Sequence, residues 1–231
     1  MENLDVVILC GGQGTRLRSV IRDRPKPMAE INGRPFLDFL IAYASGYGLT
    51  RFILSTGYRS EVIETYYNRY SGPQKIFISR EDIPLGTGGG LKLAGSKVVS
   101  DPFFVLNGDS YCSADLEAFT AYHQSKQALL TLVVSENKST SDFGSIIMDT
   151  TGRIVSFQEK STSGQGLINA GIYLMSRSLL SRIPDQMNYS LEKNLFPGLA
   201  GEDIYGYFSS APVWDIGTPE RYDLAKKILK R

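Results

Sequence analysis

The sequence predicts an α/β protein in which a mixed, mainly parallel sheet is flanked by helices. Three observations carry that expectation. The first half alternates short apolar runs with segments of helical spacing, the pattern of parallel strands joined by crossover helices. The second half changes to strand-like runs with short connections. The chain has 231 residues, 42% hydrophobic and 21% charged, with 13 Tyr and 11 Phe. That is enough apolar material to close a sizeable core and to exclude disorder for the bulk of the chain.

The elements follow in order. Leu4 to Leu9 is an apolar run stopped by Cys10-Gly11-Gly12 and reads as a buried strand. A polar stretch punctuated by Gly and Pro continues to about Pro35 and reads as a long functional loop. Phe36, Phe39, Leu40 and Tyr43 recur at helical spacing through Tyr47. Phe52 to Ser55 is a second strand. Val62, Ile63, Tyr66 and Tyr70 share one face of a helix over Glu61 to Tyr70, with the tyrosines expected in core and interface. Ile76 to Ile78 is a third strand. Gly86 to Gly90 reads as a loop leading into a short helix that ends near Gly95. Phe103 to Leu106 is a fourth strand, ending at Asn107-Gly108-Asp109. Leu129 to Val134, Ser145 to Met148, Ile154 to Gln158, Ile168 to Leu174, Ile204 to Phe208 and Pro212 to Ile216 are strand-like, with a short helical region at Leu191 to Leu195. A last helix spans Pro219 to Leu229, with Thr218 as cap and Pro219 in the first turn. The arrangement is Rossmann-like. No linker or repeat interrupts it, so a single domain over 1–231 is expected, with a nucleotide-type first half (1–110) and a β-rich second half (111–231).

Composition removes several classes of function. Lys plus Arg is 25 and Asp plus Glu is 24, a net charge of +1, so a nucleic-acid partner is not expected. No apolar run approaches a membrane span, and the acidic start Met1-Glu2-Asn3-Leu4-Asp5 does not resemble a signal peptide. Cys10 and Cys112 form no disulfide or zinc pattern. Cys10 is expected to be a buried thiol rather than a nucleophile. The one histidine, His123, falls in a helical stretch and is expected at the surface. A cytoplasmic protein is the resulting expectation.

The chemistry-bearing residues begin after the first strand. In Gly11-Gly12-Gln13-Gly14-Thr15-Arg16, glycines let backbone N–H groups approach an anion. Arg16 adds a permanently charged phosphate donor. No Gly-Lys-Ser/Thr follows, so it is not a Walker A loop, and the spacing differs from the dinucleotide fingerprint. Ten residues on, Lys26 sits in Pro25-Lys26-Pro27, where two prolines restrict the backbone around it.

The run Ile8 to Met28 resembles the signature of the sugar-1-phosphate nucleotidyltransferases, also called nucleoside-diphosphate-sugar pyrophosphorylases. Three further segments are similar to that family and stand in its order. They are Leu85-Gly86-Thr87-Gly88-Gly89, Leu106-Asn107-Gly108-Asp109 and Trp214-Asp215-Ile216-Gly217-Thr218-Pro219-Glu220. The resemblance implies the family's nucleotide-diphospho-sugar transferase fold, and the length leaves no room for a C-terminal β-helix domain. It implies a nucleotide site at Leu9, Gly11, Gly12, Gly14, Thr15, Arg16, Gly86 and Thr87. Arg16, Lys26 and Asp109 are the implied catalytic residues, and Asp109 and Asp215 the implied Mg²⁺ ligands. On the sugar side it implies Asn107, Gly144 of Asp142-Phe143-Gly144, Glu159 and Lys160 of Phe157-Gln158-Glu159-Lys160, and Asn169 of Asn169-Ala170-Gly171. Ser161 departs from the family, which usually has proline there.

The implied reaction joins a sugar 1-phosphate to the α-phosphorus of a nucleoside triphosphate and releases pyrophosphate. Its nucleophile is already anionic, which suits a chain with one histidine, and catalysis would rest on positioning and charge neutralisation. Arg80-Glu81-Asp82-Ile83-Pro84 resembles the acidic run of guanylyltransferases, and the Glu81 carboxylate suits guanine N1–H and N2–H₂. The pattern through Leu17-Arg18-Ser19-Val20-Ile21 and Arg34-Pro35-Phe36-Leu37 is most similar to the D-glycero-α-D-manno-heptose 1-phosphate guanylyltransferases. Mannose 1-phosphate guanylyltransferases are the near alternative, followed by uridylyl- and cytidylyltransferases. GTP and a sugar 1-phosphate are the expected partners, with a homodimer left open. A glycosyltransferase would need an Asp-x-Asp pattern, whereas Asp109 is followed by Ser110-Tyr111. A nucleotide-sugar sensor without turnover is the non-enzymatic alternative.

Overall fold

The computed structural model describes residues 1, 3–137, 145–158 and 166–229. Val6, Val7 and Ile8 are fully buried in β1 (Asp5–Leu9), which explains a run that is continuously apolar rather than alternating. The stretch after it is not one loop. It holds 3₁₀ turns at Thr15–Leu17 and Lys26–Met28, then a small hairpin of β2 (Glu30–Ile31) and β3 (Arg34–Pro35). Asn32 (φ 52°) and Gly33 (φ 82°) turn this hairpin. Asn-Gly is the strongest two-residue hairpin signal, so this correction was available from sequence.

Helix α1 (Phe36–Ser45) and strand β4 (Arg51–Thr56) follow, then α2 (Ser60–Tyr67), β5 (Lys75–Arg80), α3 (Gly86–Ala94), β6 (Phe103–Asn107) and β7 (Ser110–Cys112). β1 pairs in parallel with β4 on one side and β6 on the other, and β4 pairs in parallel with β5. The chain therefore leaves β1 in one direction and returns on its other side, a switch point where open α/β sheets bind ligands at the carboxyl ends of strands.

The second half contains α4 (Leu116–Lys126), β8 (Leu130–Asn137), β9 (Ser145–Met148), β10 (Ile154–Gln158) and β11 (Gly166–Met175). After these come α5 (Phe196–Gly198), β12 (Ile204–Phe208), β13 (Val213–Asp215) and α6 (Pro219–Ile228). The long β11 joins the halves, pairing antiparallel with β6, β8 and β9, while β12 pairs in parallel with β8. The described residues thus form one nine-stranded mixed sheet, and β13 pairs apart from it with β7.

Side chains alternate between two cores. Val6, Ile8, Phe52, Leu54 and Phe104 point to one, and Val7, Ile53, Phe103 and Val105 to the other, the period of two that strands impose. At the amino end of β1, the Asp5 side chain is 1% exposed and pairs with Arg51 Nε at 2.7 Å. It also accepts from the N–H groups of Val99 and Ser100, pinning the segment that leads into β6.

Two expectations change. Gly86 to Gly90 is not a loop before a helix but the first turn and a half of α3. A β-carbon at Gly88 would lie 2.8 Å from Tyr189 Cδ1, and one at Gly89 2.5 Å from the Met187 carbonyl. Close packing of the 187–189 segment, rather than helix propensity, demands these glycines. His123 is not at the surface; it is 5% exposed and bonds through Nδ1 to Thr131 Oγ1 at 2.8 Å. Of the tyrosine run, Tyr67 is buried and Tyr66 is 39% exposed. Among the described residues no helix is long and apolar enough to cross a membrane.

Candidate active site

Strand register brings the first set of side chains together. Leu9 is opposite Asn107, and Ser55 flanks Leu9 on the other side, so the glycine loop and the Asn107-Gly108-Asp109 turn leave the sheet side by side. Gly108 N donates to Leu9 O at 3.0 Å, and a β-carbon there would be 2.4 Å from that oxygen. Only glycine allows the two turns to lie this close. The pairing of β13 with β7 places Asp215 opposite Ser110, next to Asp109.

Five charged residues converge on this edge. Lys26 Nζ is 2.6 Å from Asp109 Oδ2, and Ser110 Oγ donates to Asp109 Oδ1 at 3.1 Å. Burial pushes the Asp109 carboxyl up, but the Lys26 ammonium and these hydrogen bonds outweigh it and hold the group below the usual carboxylate range. Asp215 accepts from Gly217 N at 2.7 Å and pairs with Arg221 Nη1 at 3.0 Å. A β-carbon at Gly217 would sit 2.6 Å from Asp215 Oδ1, 3.5 Å from Arg16 Nη2 and 3.6 Å from Lys26 Nζ, so both cations reach the same backbone position.

Gly12, Gly14, Thr15, Arg16, Lys26 and Asp109 line a cavity of about 230 Å³. Nothing lies within 4 Å of the β-carbon position at Gly12, and Gly14 takes the left-handed conformation that starts the Thr15–Leu17 turn. The cavity is rich in cations and backbone donors, the chemistry that binds phosphates. Two adjacent carboxylates suit Mg²⁺, which takes one or two protein carboxylates and completes its shell with substrate phosphates and water. Among the described residues no cluster of three or more His, Cys, Asp or Glu could hold a metal by itself, so this donor set fits a metal delivered with phosphates.

A second cavity, about 370 Å³, shares Leu9, Gly12 and Asp109 with the first and extends to Gly11, Glu81, Gly86, Thr87 and Asn107. The Glu81 carboxyl packs against the glycine backbone, since a β-carbon would be 2.8 Å from Glu81 Oε1 at Gly11 and 2.4 Å at Gly57. It accepts from Leu85 N at 3.2 Å. Burial pushes this carboxyl up, and the Leu85 bond only partly opposes it.

On the opposite side, Asn107 Oδ1 is buried without a hydrogen-bond partner. Asn169 lines neither cavity; its amide donates to Tyr173 Oη at 2.8 Å and accepts from Gly171 N at 2.9 Å. Gly171, at φ 77°, has its β-carbon position 3.0 Å from Asn107 Cβ, so the irregular turn in β11 fits closely beneath Asn107. Gly144, Glu159 and Lys160 lie outside the described residues. Cys10 is fully buried, and burial pushes its thiol far up, so it stays an un-ionised core group.

Two site residues escaped the sequence reading. Arg221, in the first turn of α6, pairs back with Asp215 at the end of β13. Glu192 lines the larger cavity with Asn188, yet no motif or spacing marks it, because the 187–192 segment meets α3 only through the tertiary fold.

The profile of the family described as nucleotidyl transferase matches residues 5–230. The D-glycero-α-D-manno-heptose 1-phosphate guanylyltransferase of Aneurinibacillus thermoaerophilus is 38% identical over 98% of this chain and 99% of its own length. The mannose-1-phosphate guanylyltransferase of Mycobacterium tuberculosis is 36% identical over 96% of this chain, which spans 63% of that relative. The crystal structure of HddC from Yersinia pseudotuberculosis complexed with GMP-PN has 35% identity and a TM-score of 0.87, covering 98% of this chain and 100% of that one.

Proposed function

The chain belongs to the nucleotidyl transferase family, and from that premise we propose that it transfers a guanylyl group from GTP to D-glycero-α-D-manno-heptose 1-phosphate. The observation that carries the reaction class is the convergence of Arg16, Lys26, Asp109 and Asp215 on one strand-end edge beside the glycine loop. The choice of base and sugar draws on the 38% identity, along nearly the full length of both chains, to the Aneurinibacillus heptose enzyme.

In this reaction an oxygen of the sugar phosphate attacks the α-phosphorus of GTP. The bond from that phosphorus to the bridging oxygen breaks, and pyrophosphate leaves. The nucleophile is anionic at neutral pH, so no side chain need remove a proton. The barrier is largely repulsion between two polyanions, and Lys26 and Arg16 lower it by placing positive charge where phosphate oxygens crowd together. The backbone donors of Gly11 to Gly14 fix the triphosphate, which turns encounter into aligned attack. Asp109 and Asp215 would hold Mg²⁺, which when bound supplies charge neutralisation to the phosphates. To open the carboxylates, Lys26 and Arg221 must yield their present partners, and phosphate oxygens are the natural new partners for both. Glu81 reads the base by accepting from guanine N1–H and N2–H₂, Glu159 accepts from sugar hydroxyls, Lys160 holds the phosphate of the sugar, and the Gly144 backbone meets the sugar. A cytoplasmic setting, where GTP is free, follows from this reading.

The test is pyrophosphate release with Mg²⁺, four nucleoside triphosphates and a panel of sugar 1-phosphates. Release with GTP and the manno-heptose phosphate is expected. Release only with mannose 1-phosphate would favour the second reading, supported by the 36% identity to the mycobacterial enzyme. Folded protein that binds nucleotide but releases no pyrophosphate would be a sensor. Base reading has its own check: Glu81→Gln should erode the preference for GTP over ATP, and an unchanged preference would remove Glu81 from that role.

A further inference from the structure

We propose that Glu192 binds the hydroxyl groups of the sugar 1-phosphate and sets the preference for the manno-heptose over mannose. This inference rests on the guanylyltransferase reading above and assigns a specificity-determining residue within it.

The 370 Å³ cavity has three corners. One opens into the phosphate cavity through Leu9, Gly12 and Asp109. A second opens through Gly11, Gln13, Glu81 and Pro84 into a pocket of about 220 Å³. The third, made by Thr87, Asn107, Asn188 and Glu192, borders neither neighbour. A nucleoside triphosphate with its phosphates in the first corner and its base at the second leaves the third for the acceptor.

The chemistry of that corner suits a polyol. A carboxylate repels phosphate, so its use in a cavity for polyanions is to accept hydrogen bonds from neutral donors. Glu192 is held in place for this: its Oε2 accepts from Thr87 Oγ1 at 2.8 Å and from Ser190 Oγ at 2.9 Å. Thr87 Oγ1 in turn accepts from Leu191 N at 2.9 Å, so the carboxylate is aimed before ligand arrives, and little ordering remains to oppose binding. Asn107 and Asn188 add polar side chains to the same lining. A charged acceptor fixed in that corner calls for hydroxyl donors. A manno-heptose carries one more hydroxyl-bearing carbon than mannose, hence one more donor.

The test compares wild type with Glu192→Gln, whose amide oxygen can still accept from Thr87 and Ser190 while the charge is gone. The kcat/KM for heptose 1-phosphate should fall about 10- to 100-fold, the worth of a hydrogen bond to a charged group. The value for mannose 1-phosphate should fall much less, and GTP affinity measured without sugar phosphate should not change. Equal losses for the two sugars, or no loss, would overturn the proposal, as would a changed preference among nucleoside triphosphates. Thr87→Val and Thr87→Ser give an independent arm if the first variant melts early. The valine should lower heptose preference in the same direction and the serine should retain it; identical behaviour of the two would overturn the assignment. Wild type that transfers to neither sugar would refute the guanylyltransferase reading itself, and is seen before any variant is made.

Discussion

Lys26 is the residue on which the phosphate chemistry turns. Its side chain is 11% exposed and its ammonium rests 2.6 Å from Asp109 Oδ2, with Pro25 and Pro27 framing it in sequence. Removing one preorganised cation or donor from such a site costs roughly 10²–10³ in rate. Lys26→Ala is therefore expected to lower kcat for pyrophosphate release by about that factor while circular dichroism stays native. Near-normal turnover in a folded variant would refute the role. The sequence made Lys26 legible because two prolines frame it. Arg221 was not legible: its pairing with Asp215 at 3.0 Å depends on how α6 docks.

At the scale of single elements, α3 shows packing overriding propensity. Alanine is preferred to glycine inside a helix by about 1 kcal/mol, so Gly88→Ala would stabilise an isolated α3. In the fold its β-carbon meets Tyr189 Cδ1 at 2.8 Å and Tyr189 O at 2.9 Å, and overpacking of this kind costs about 1–3 kcal/mol. The cost is the larger, so Gly88→Ala should lower Tm; an increase would show that the 187–189 segment yields freely. Helix α4 carries a pH effect. Burial depresses the His123 imidazole from 6.5 to about 4, while the unfolded chain titrates near 6.5. Between these values the unfolded state binds more protons, so His123 lowers stability progressively as pH falls from about 6.5 to about 4, and has no such effect above that window. Urea titrations across that range should show a shallower pH dependence for His123→Gln than for wild type. Parallel slopes would mean that the imidazole takes up its proton alike in the folded and unfolded states.

Across the whole molecule, β11 is the seam. Met175 to Ile172 pair with Phe103 to Leu106, and Phe103, Phe104 and Val105 are fully buried beneath it. Residues 1–110 alone would leave the β6 edge open and strip those side chains of second-half neighbours such as Tyr173 and Leu174. An exposed apolar edge strand favours association over folding. The isolated fragment is expected to show no cooperative thermal transition by circular dichroism, whereas the full chain melts in one step. A fragment melting cooperatively would make the two halves autonomous. The same seam places Asn107, at the end of β6, against Gly171 and so connects the two halves of the candidate site.

What the sequence determined by itself was local: the buried central strands, because a continuous apolar run bounded by glycines fits one place in an α/β sheet, and the charged residues framed by glycine and proline. Arg16, Lys26, Asp109 and Asp215 were readable for that reason, as was Thr218 as the cap of α6, where its hydroxyl accepts from Arg221 N. The Asn32-Gly33 hairpin was equally readable and was missed within the polar stretch. Only the tertiary structure decided that five consecutive residues from Gly86 to Gly90, four of them glycine, form a helix, that His123 is buried, and that Glu192 faces the same cavity as Asp109. Each of these depends on partners far away in sequence: Glu192 and Thr87 are 105 residues apart. Composition and spacing report what a segment prefers alone, whereas burial and cavity lining are set by which surfaces the closed sheet brings together.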